Sequence, residues 1–248
     1  LVGAREHFPH RIAVAARTHS DATKAFKVAA ARQGDERVEP TPSIVLIFPG
    51  QGSQCPRMGE GLYLNEPLYR AHVDRMCVTL TPVLGFDLRG WLFPSSPPET
   101  ETSEGWRAAF NAPRVTQPAI FVTELALGCF LLDLGIRPVA VAGHSIGELV
   151  AATLAGVWRE EDALRLIAAR AMASEEAPMG AMLAAEISAE RVVRLVSARA
   201  GSLWLAVSNA PNRHVVAGAE ETIDAVDAAL RADGVRTRRL PITRAYHT

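Results

Sequence analysis

Gly143-His144-Ser145-Ile146-Gly147 forms a G-x-S-x-G pentapeptide, a pattern suited to nucleophilic attack by a serine. In such a turn the serine stands at a strained corner between strand and helix. Its hydroxyl is exposed there, and amides at the helix N-terminus face the reacting oxygen. Gly143 and Gly147 let strand and helix approach without side-chain clashes. The alternative is a glycine-rich turn with a surface serine. A second run, Gly50-Gln51-Gly52-Ser53-Gln54, lacks the lysine of a phosphate-binding loop and the spacing of a dinucleotide fingerprint. Beside a serine elbow it can offer a second backbone amide to an oxyanion; otherwise it is a tight turn.

Serine is a poor nucleophile until its proton has an acceptor, and seven histidines could supply one. His7, His10 and His19 lie in an N-terminal segment and His72 in an early helix. His144 adjoins the serine, where an elbow turns neighbouring side chains apart, and His214 fits the edge of a strand. His247 remains by elimination, against the alternative of a terminal histidine in solvent.

These residues need elements to hold them. Residues 43–48 form a short apolar run closed by Pro49-Gly50, the pattern of a strand buried on both faces of a parallel sheet. Residues 138–142 read as a second such strand, entering the elbow and a helix over 148–155. Helices are also expected over 62–84, over 116–134 with Gly135 as C-terminal cap, and over 160–172, where Leu164, Ile167, Ala168 and Ala171 make a buried stripe. Residues 94–105 read as a loop. Beyond 180 the pattern changes to strand, helix, strand, strand, helix, strand, the order of a ferredoxin-like unit, placed at 179–243. The first forty or so residues read as a linker with one helix near 20–33. The chain begins at Leu1 rather than Met, which suggests an internal piece of a longer protein.

The composition suits a folded chain with one sizeable core and a smaller unit: 248 residues, 48% apolar and 21% charged. A net charge of -1 lacks the footprint of a nucleic-acid binder. Cys55, Cys77 and Cys129 are odd in number and scattered. They suit reduced thiols in a cytoplasmic protein better than a disulfide framework or a zinc site. Residues 118–134 are interrupted by Glu124 and Asp133 and fall short of the ~20 apolar residues of a membrane span. No membrane association and no signal peptide are expected.

Gly50-Gln51-Gly52-Ser53-Gln54, Thr116-Gln117-Pro118-Ala119, Gly143 to Glu148, and Asn209-x-Pro211 before Val215-Val216-Ala217-Gly218 together resemble the malonyl-CoA:acyl carrier protein transacylase family, from about residue 43 to 248. The preceding His-Phe-Pro-His-Arg segment is similar to the ketosynthase–acyltransferase linker of type I polyketide synthases. The resemblance implies that Ser145 is acylated, that the amides of Gln51 and Ile146 form the oxyanion hole, and that Arg170 grips the free carboxylate of a malonyl-type group. A planar guanidinium suits that task; the alternative is a solvated helix arginine paired with Glu148 or Asp162. Arg244-Ala245-Tyr246-His247 occupies the family's motif ending in the catalytic histidine, and Gln117, Tyr246, His144 and Asn209 fall at substrate-binding positions.

The implied fold is α/β: an α/β-hydrolase-like large subdomain with a parallel sheet (43–178), the ferredoxin-like subdomain (179–243), a return to the large subdomain (244–248), and a linker remnant (1–42). The implied reaction is a ping-pong transfer from malonyl-CoA to the phosphopantetheine arm of an acyl carrier protein. A ketosynthase would neighbour the domain in the same polypeptide, and no metal or cofactor would be bound. Ile146 and Tyr246 point to malonyl selectivity; Arg244 departs from the histidine that usually opens that motif, and Cys55 and Ala171 depart from the usual aromatic and glycine. Members continue past the histidine and supply an acceptor that orients it, so this chain is expected to be a truncated domain of low activity. Rival readings are a methylmalonyl-selective transferase, an α/β-hydrolase-type thioesterase and an inactive docking scaffold.

Overall fold

The structure, a computed structural model, describes residues 12–31, 43–96 and 98–248. The chain divides into two units, Leu1–Val45 and Leu46–Thr248. His7, His10 and much of the expected linker lie outside the described residues. In the first unit, helix α1 (His19–Ala31) starts at Thr18, whose hydroxyl accepts from the Asp21 amide at 3.1 Å.

Strand β1 (Val45–Phe48) is followed by α2 (Glu60–Asn65) and α3 (Pro67–Leu84). The sequence reads these two as one helix. Pro67 separates them because it disfavours helical geometry in the residue before it, and Glu66 is extended at φ -115°, ψ 100°. Short helices α4 (Arg89–Leu92), α5 (Pro98–Glu101) and α6 (Glu104–Phe110) follow, so the expected loop at 94–105 is partly helical. Arg57 organises it, donating to Ser96 O at 2.8 Å and to the buried Glu101 carboxylate at 2.8 Å.

Helix α7 (Pro113–Asp133) opens on Pro113, whose missing N–H costs nothing at that position. Gly135, at φ 87°, provides the left-handed residue that ends it. It is longer than the sequence suggests, and its most apolar stretch has a mean hydropathy of 1.6, enough by length and composition to cross a membrane. That stretch is 67% buried inside the fold. Thr116, Gln117, Phe121 and Leu125 belong to the interior, alongside Tyr69 and Met76 of α3.

Strand β2 (Ala140–Gly143) leads through the elbow into α8 (Ile146–Leu154), and α9 (Glu160–Glu176) packs with α7 and α8. β1 and β2 form a two-stranded sheet. His144 N donates to Phe48 O at 3.0 Å, so both strands end at the same edge, as parallel neighbours do. The expectation that β1 is buried on both faces is corrected: Ile47 is 75% exposed while Phe48 is buried, because the helices cover one side.

The remaining elements are β3 (Ala181–Ala185), α10 (Ala189–Ser197), β4 (Leu203–Ala210), β5 (Arg213–Gly218), α11 (Glu220–Ala232) and β6 (Thr237–Arg239). Their antiparallel sheet has the order β4-β5-β3-β6, which is the ferredoxin-like topology expected from the element order. Alternation sorts its side chains. Ala181, Leu183 and Ala185 of β3 join Val192 of α10 and Ile223 of α11 in one core, whereas Met182 points to the opposite face with Val215 and Ala217.

Strand β4 breaks that alternation. Leu205 pairs with Val216 but Val207 pairs with Val215, so Ala206 is an extra residue, and a second shift sets Asn209 between Ser208 and Ala210. Such bulges re-aim side chains. Val207 thereby joins the face of Val215, and Val207 and Asn209 reach the same cavity wall.

Candidate active site

A cavity of about 510 Å³ lies between the elbow and the face of the small sheet that bears Met182 and Val215. Ser145, His144, Gln51, Arg170, Tyr246 and His247 all line it, and Met182, Ala184, Val207 and Asn209 form the sheet side.

Ser145 caps α8 in a strained conformation, φ 54° and ψ -109°, of a kind that costs about 1–3 kcal/mol and persists only where the surroundings enforce it. Two close approaches enforce it. A methyl group on Gly143 would run into the Gly147 carbonyl and the Glu148 amide, and one on Gly147 into the Phe48 carbonyl. Gly50 is similarly confined, since its added Cβ would lie 2.7 Å from His144 O. The two glycine-rich runs are thus pressed together around the serine.

Among the described residues, the amides of Gln51 and Ile146 have no internal acceptor. Their neighbours are engaged: Gly52 N donates to Gln54 Oε1 at 2.7 Å, and Gly147 N to His144 O at 3.0 Å. Gln54 in turn donates to Asn111 Oδ1 at 2.9 Å, fixing the Gln51 loop against the end of α6. The Ile146 side chain is fully buried in the large core. Of the two residues expected to bear on selectivity, Tyr246 lines the cavity and the Ile146 side chain does not.

Ser145 Oγ lies 3.1 Å from His247 Nε2, a distance at which the imidazole can take the hydroxyl proton. Burial, then the nearby charges of Arg170 and His144, push the His247 imidazole below its ordinary range, while Glu148 pulls it up. The neutral, proton-accepting form is favoured. Two other described histidines are occupied elsewhere: His72 meets Asp133 at 2.7 Å, and buried His214 meets Ser208 Oγ at 2.9 Å. His214 is the second residue of β5, at the edge of that strand as expected.

Arg170 extends from α9 with Nη2 3.5 Å from Ser145 Oγ and Nη1 2.6 Å from Gln117 Oε1. Burial lowers its pKa, partly offset by Tyr246. It has no carboxylate partner among the described residues, so the paired alternative with Glu148 or Asp162 is not seen; Asp162 pairs with Arg159 at 2.9 Å. Gln117 is fully buried and reaches the cavity only through Arg170.

The sequence gives no hint of what Arg244 does. Its guanidinium donates to Ser174 O at 3.2 Å and Glu175 O at 3.0 Å, the exposed carbonyls in the last turn of α9. A cation is favoured there. The segment bearing Tyr246 and His247 is thereby clasped to the helix that bears Arg170.

Residues 45–248 match the acyl transferase domain family. Polyketide synthase GfsA of Streptomyces halstedii is 32% identical over 264 aligned residues, covering 100% of this chain and 3% of that protein. The acyltransferase domain from the second module of the salinomycin polyketide synthase superposes with a TM-score of 0.80 at 33% identity, over 95% of this chain and 54% of that one. The acyltransferase domain of SpnD, solved in complex with 2-(pent-4-yn-1-yl)malonyl, gives 0.78 at 35% identity, over 97% and 55%. The chain therefore spans about half of these structural relatives and a small part of the synthase.

Proposed function

The chain belongs to the acyl transferase domain family, and from that premise we propose that it moves a malonyl group from coenzyme A to the phosphopantetheine thiol of an acyl carrier protein, as one domain of a type I polyketide synthase. The observation that carries this reading is Arg170, a half-buried guanidinium 3.5 Å from the Ser145 hydroxyl with no carboxylate partner among the described residues. A charge in that position favours an acyl group with a free carboxylate at the end away from the thioester. The substituted malonyl group bound to SpnD supports the same class.

In this scheme His247 Nε2 takes the Ser145 proton, and Oγ attacks the thioester carbonyl. The oxyanion is held by the amides of Gln51 and Ile146. Collapse breaks the C–S bond; the imidazolium returns its proton to the coenzyme A thiolate, leaving malonyl-Ser145. The second half runs in reverse, with the carrier thiol as nucleophile and His247 as its base. Arg170 pairs with the carboxylate in both halves, and a neutral acyl chain would leave it unpaired. The reading places residues 1–42 in the ketosynthase–acyltransferase linker, makes 179–243 the small subdomain, and sets the reaction in the cytoplasm.

The test is mass spectrometry of the Ser145 peptide after incubation with equimolar malonyl-CoA and methylmalonyl-CoA. Malonyl-Ser145 is expected to dominate and to vanish in Ser145→Ala. Faster methylmalonyl labelling would overturn the extender assignment. Thioester hydrolysis without transfer to a carrier thiol would favour a thioesterase, and absence of any acyl-serine would favour a docking scaffold.

A further inference from the structure

The contacts of Arg170 continue past Gln117. A guanidinium has only donors, so the side of the Gln117 amide facing it, 2.6 Å from Nη1, must be Oε1. The amide nitrogen is then forced to the opposite side. There it meets Ser174 Oγ at 3.2 Å. Ser174 stands one helical turn after Arg170 on α9, so both lie on the same face toward α7. Gln117 is fully buried; without the hydroxyl its NH₂ group would have no acceptor, an arrangement that costs more than the net worth of the hydrogen bond lost. The backbone carbonyl of Ser174 accepts from Arg244 Nε at 3.2 Å, at the root of the segment that carries His247.

We propose that Ser174 is a positioning residue for acyl-group selection: its hydroxyl accepts from the Gln117 amide nitrogen and so holds in place the side chain whose carbonyl aims Arg170 at the substrate carboxylate. The inference rests on the carboxylate-gripping role of Arg170 proposed above. Ser174 touches neither the cavity nor the nucleophile, so its effect passes through Gln117.

Substituting Ser174→Ala in the full chain removes the acceptor and leaves the carbonyl contact to Arg244 in place. Single-turnover acylation of Ser145 is followed with malonyl-CoA and with propionyl-CoA, a neutral thioester of similar length. The malonyl preference is expected to fall by about 3- to 10-fold, mainly through a higher KM for malonyl-CoA, with Ser174→Thr restoring it. Ser174→Cys, nearly isosteric but a poor acceptor, should lose preference like the alanine variant, and serves if the alanine variant does not fold. Equal losses for both thioesters, or an unchanged preference, would overturn the role of Ser174. A wild-type chain that acylates with propionyl-CoA as fast as with malonyl-CoA would instead sink the carboxylate reading itself, and the inference with it.

Discussion

Burial first, and then the charges of Arg170 and His144, keep the His247 imidazole below its ordinary titration range. A base held low stays unprotonated over more of the acidic side, so the acylation rate falls only as pH drops through that depressed value. Removing one of the charges that depresses it must move this limb. In Arg170→Gln, the acidic limb of propionyl-CoA acylation is expected to shift to higher pH, since only the buried ring, His144 and Glu148 then set the balance. An unmoved limb would mean that Arg170 and His247 are electrostatically independent. The turn that holds Ser145 was legible in the sequence from its flanking glycines, and both prove sterically confined. Ser174 was not. Its partner is 57 residues away on another helix, and no local pattern announces a hydrogen bond made by tertiary packing.

At the scale of elements, the bulged strand β4 decides what the cavity wall presents. Regular alternation would set Val207 on the same side as Leu205, toward the helices; the extra residue Ala206 turns it to the other side. Deleting Ala206 should restore regular pairing with Val207 still opposite Val215, but remove the bulge's local bend and twist and so displace Val207 and Asn209 along the cavity wall. Misplacing a wall by about an ångström can cost on the order of 100-fold in rate, and a loss of that size is expected in Ser145 acylation while the far-ultraviolet dichroism of the sheet persists. Unchanged acylation would show that the bulge does not shape the site. The strands themselves were readable from their apolar runs. The bulges were not, because Ala206 and Asn209 carry no glycine or proline to mark a break, and the shift is visible only against β5.

For the whole molecule, helix α7 reads in sequence as the most apolar segment, and it is the centre of the large core. It brings one ionisable group with it. Glu124 is buried, its Oε2 has no hydrogen-bond partner among the described residues, and it borders a chamber of about 310 Å³ lined by Leu46, Phe48, Met58 and Ile120. Burial pushes its carboxyl up from 4.5 to about 8. Because the folded value lies above the unfolded one, its contribution is fully present below pH 4.5 and is lost as pH rises toward 8. The wild-type chain is therefore expected to lose on the order of a few kcal/mol of stability between pH 5 and 8. Glu124→Gln should remove that slope, leaving the variant the more stable at pH 8. Parallel melting curves for the two proteins would contradict this.

The small sheet packs on both sides, and strand β3 shows what that permits. Ala181, Leu183 and Ala185 belong to the helix-packed core, whereas Met182 and Ala184 face the cavity. Five consecutive residues thus carry two independent messages read on alternate letters, one about folding and one about what fits beside Ser145. A descendant of this protein can rewrite the second without garbling the first, so changes of acyl preference should accumulate at the even-numbered positions of this strand while the odd-numbered ones stay small or aliphatic.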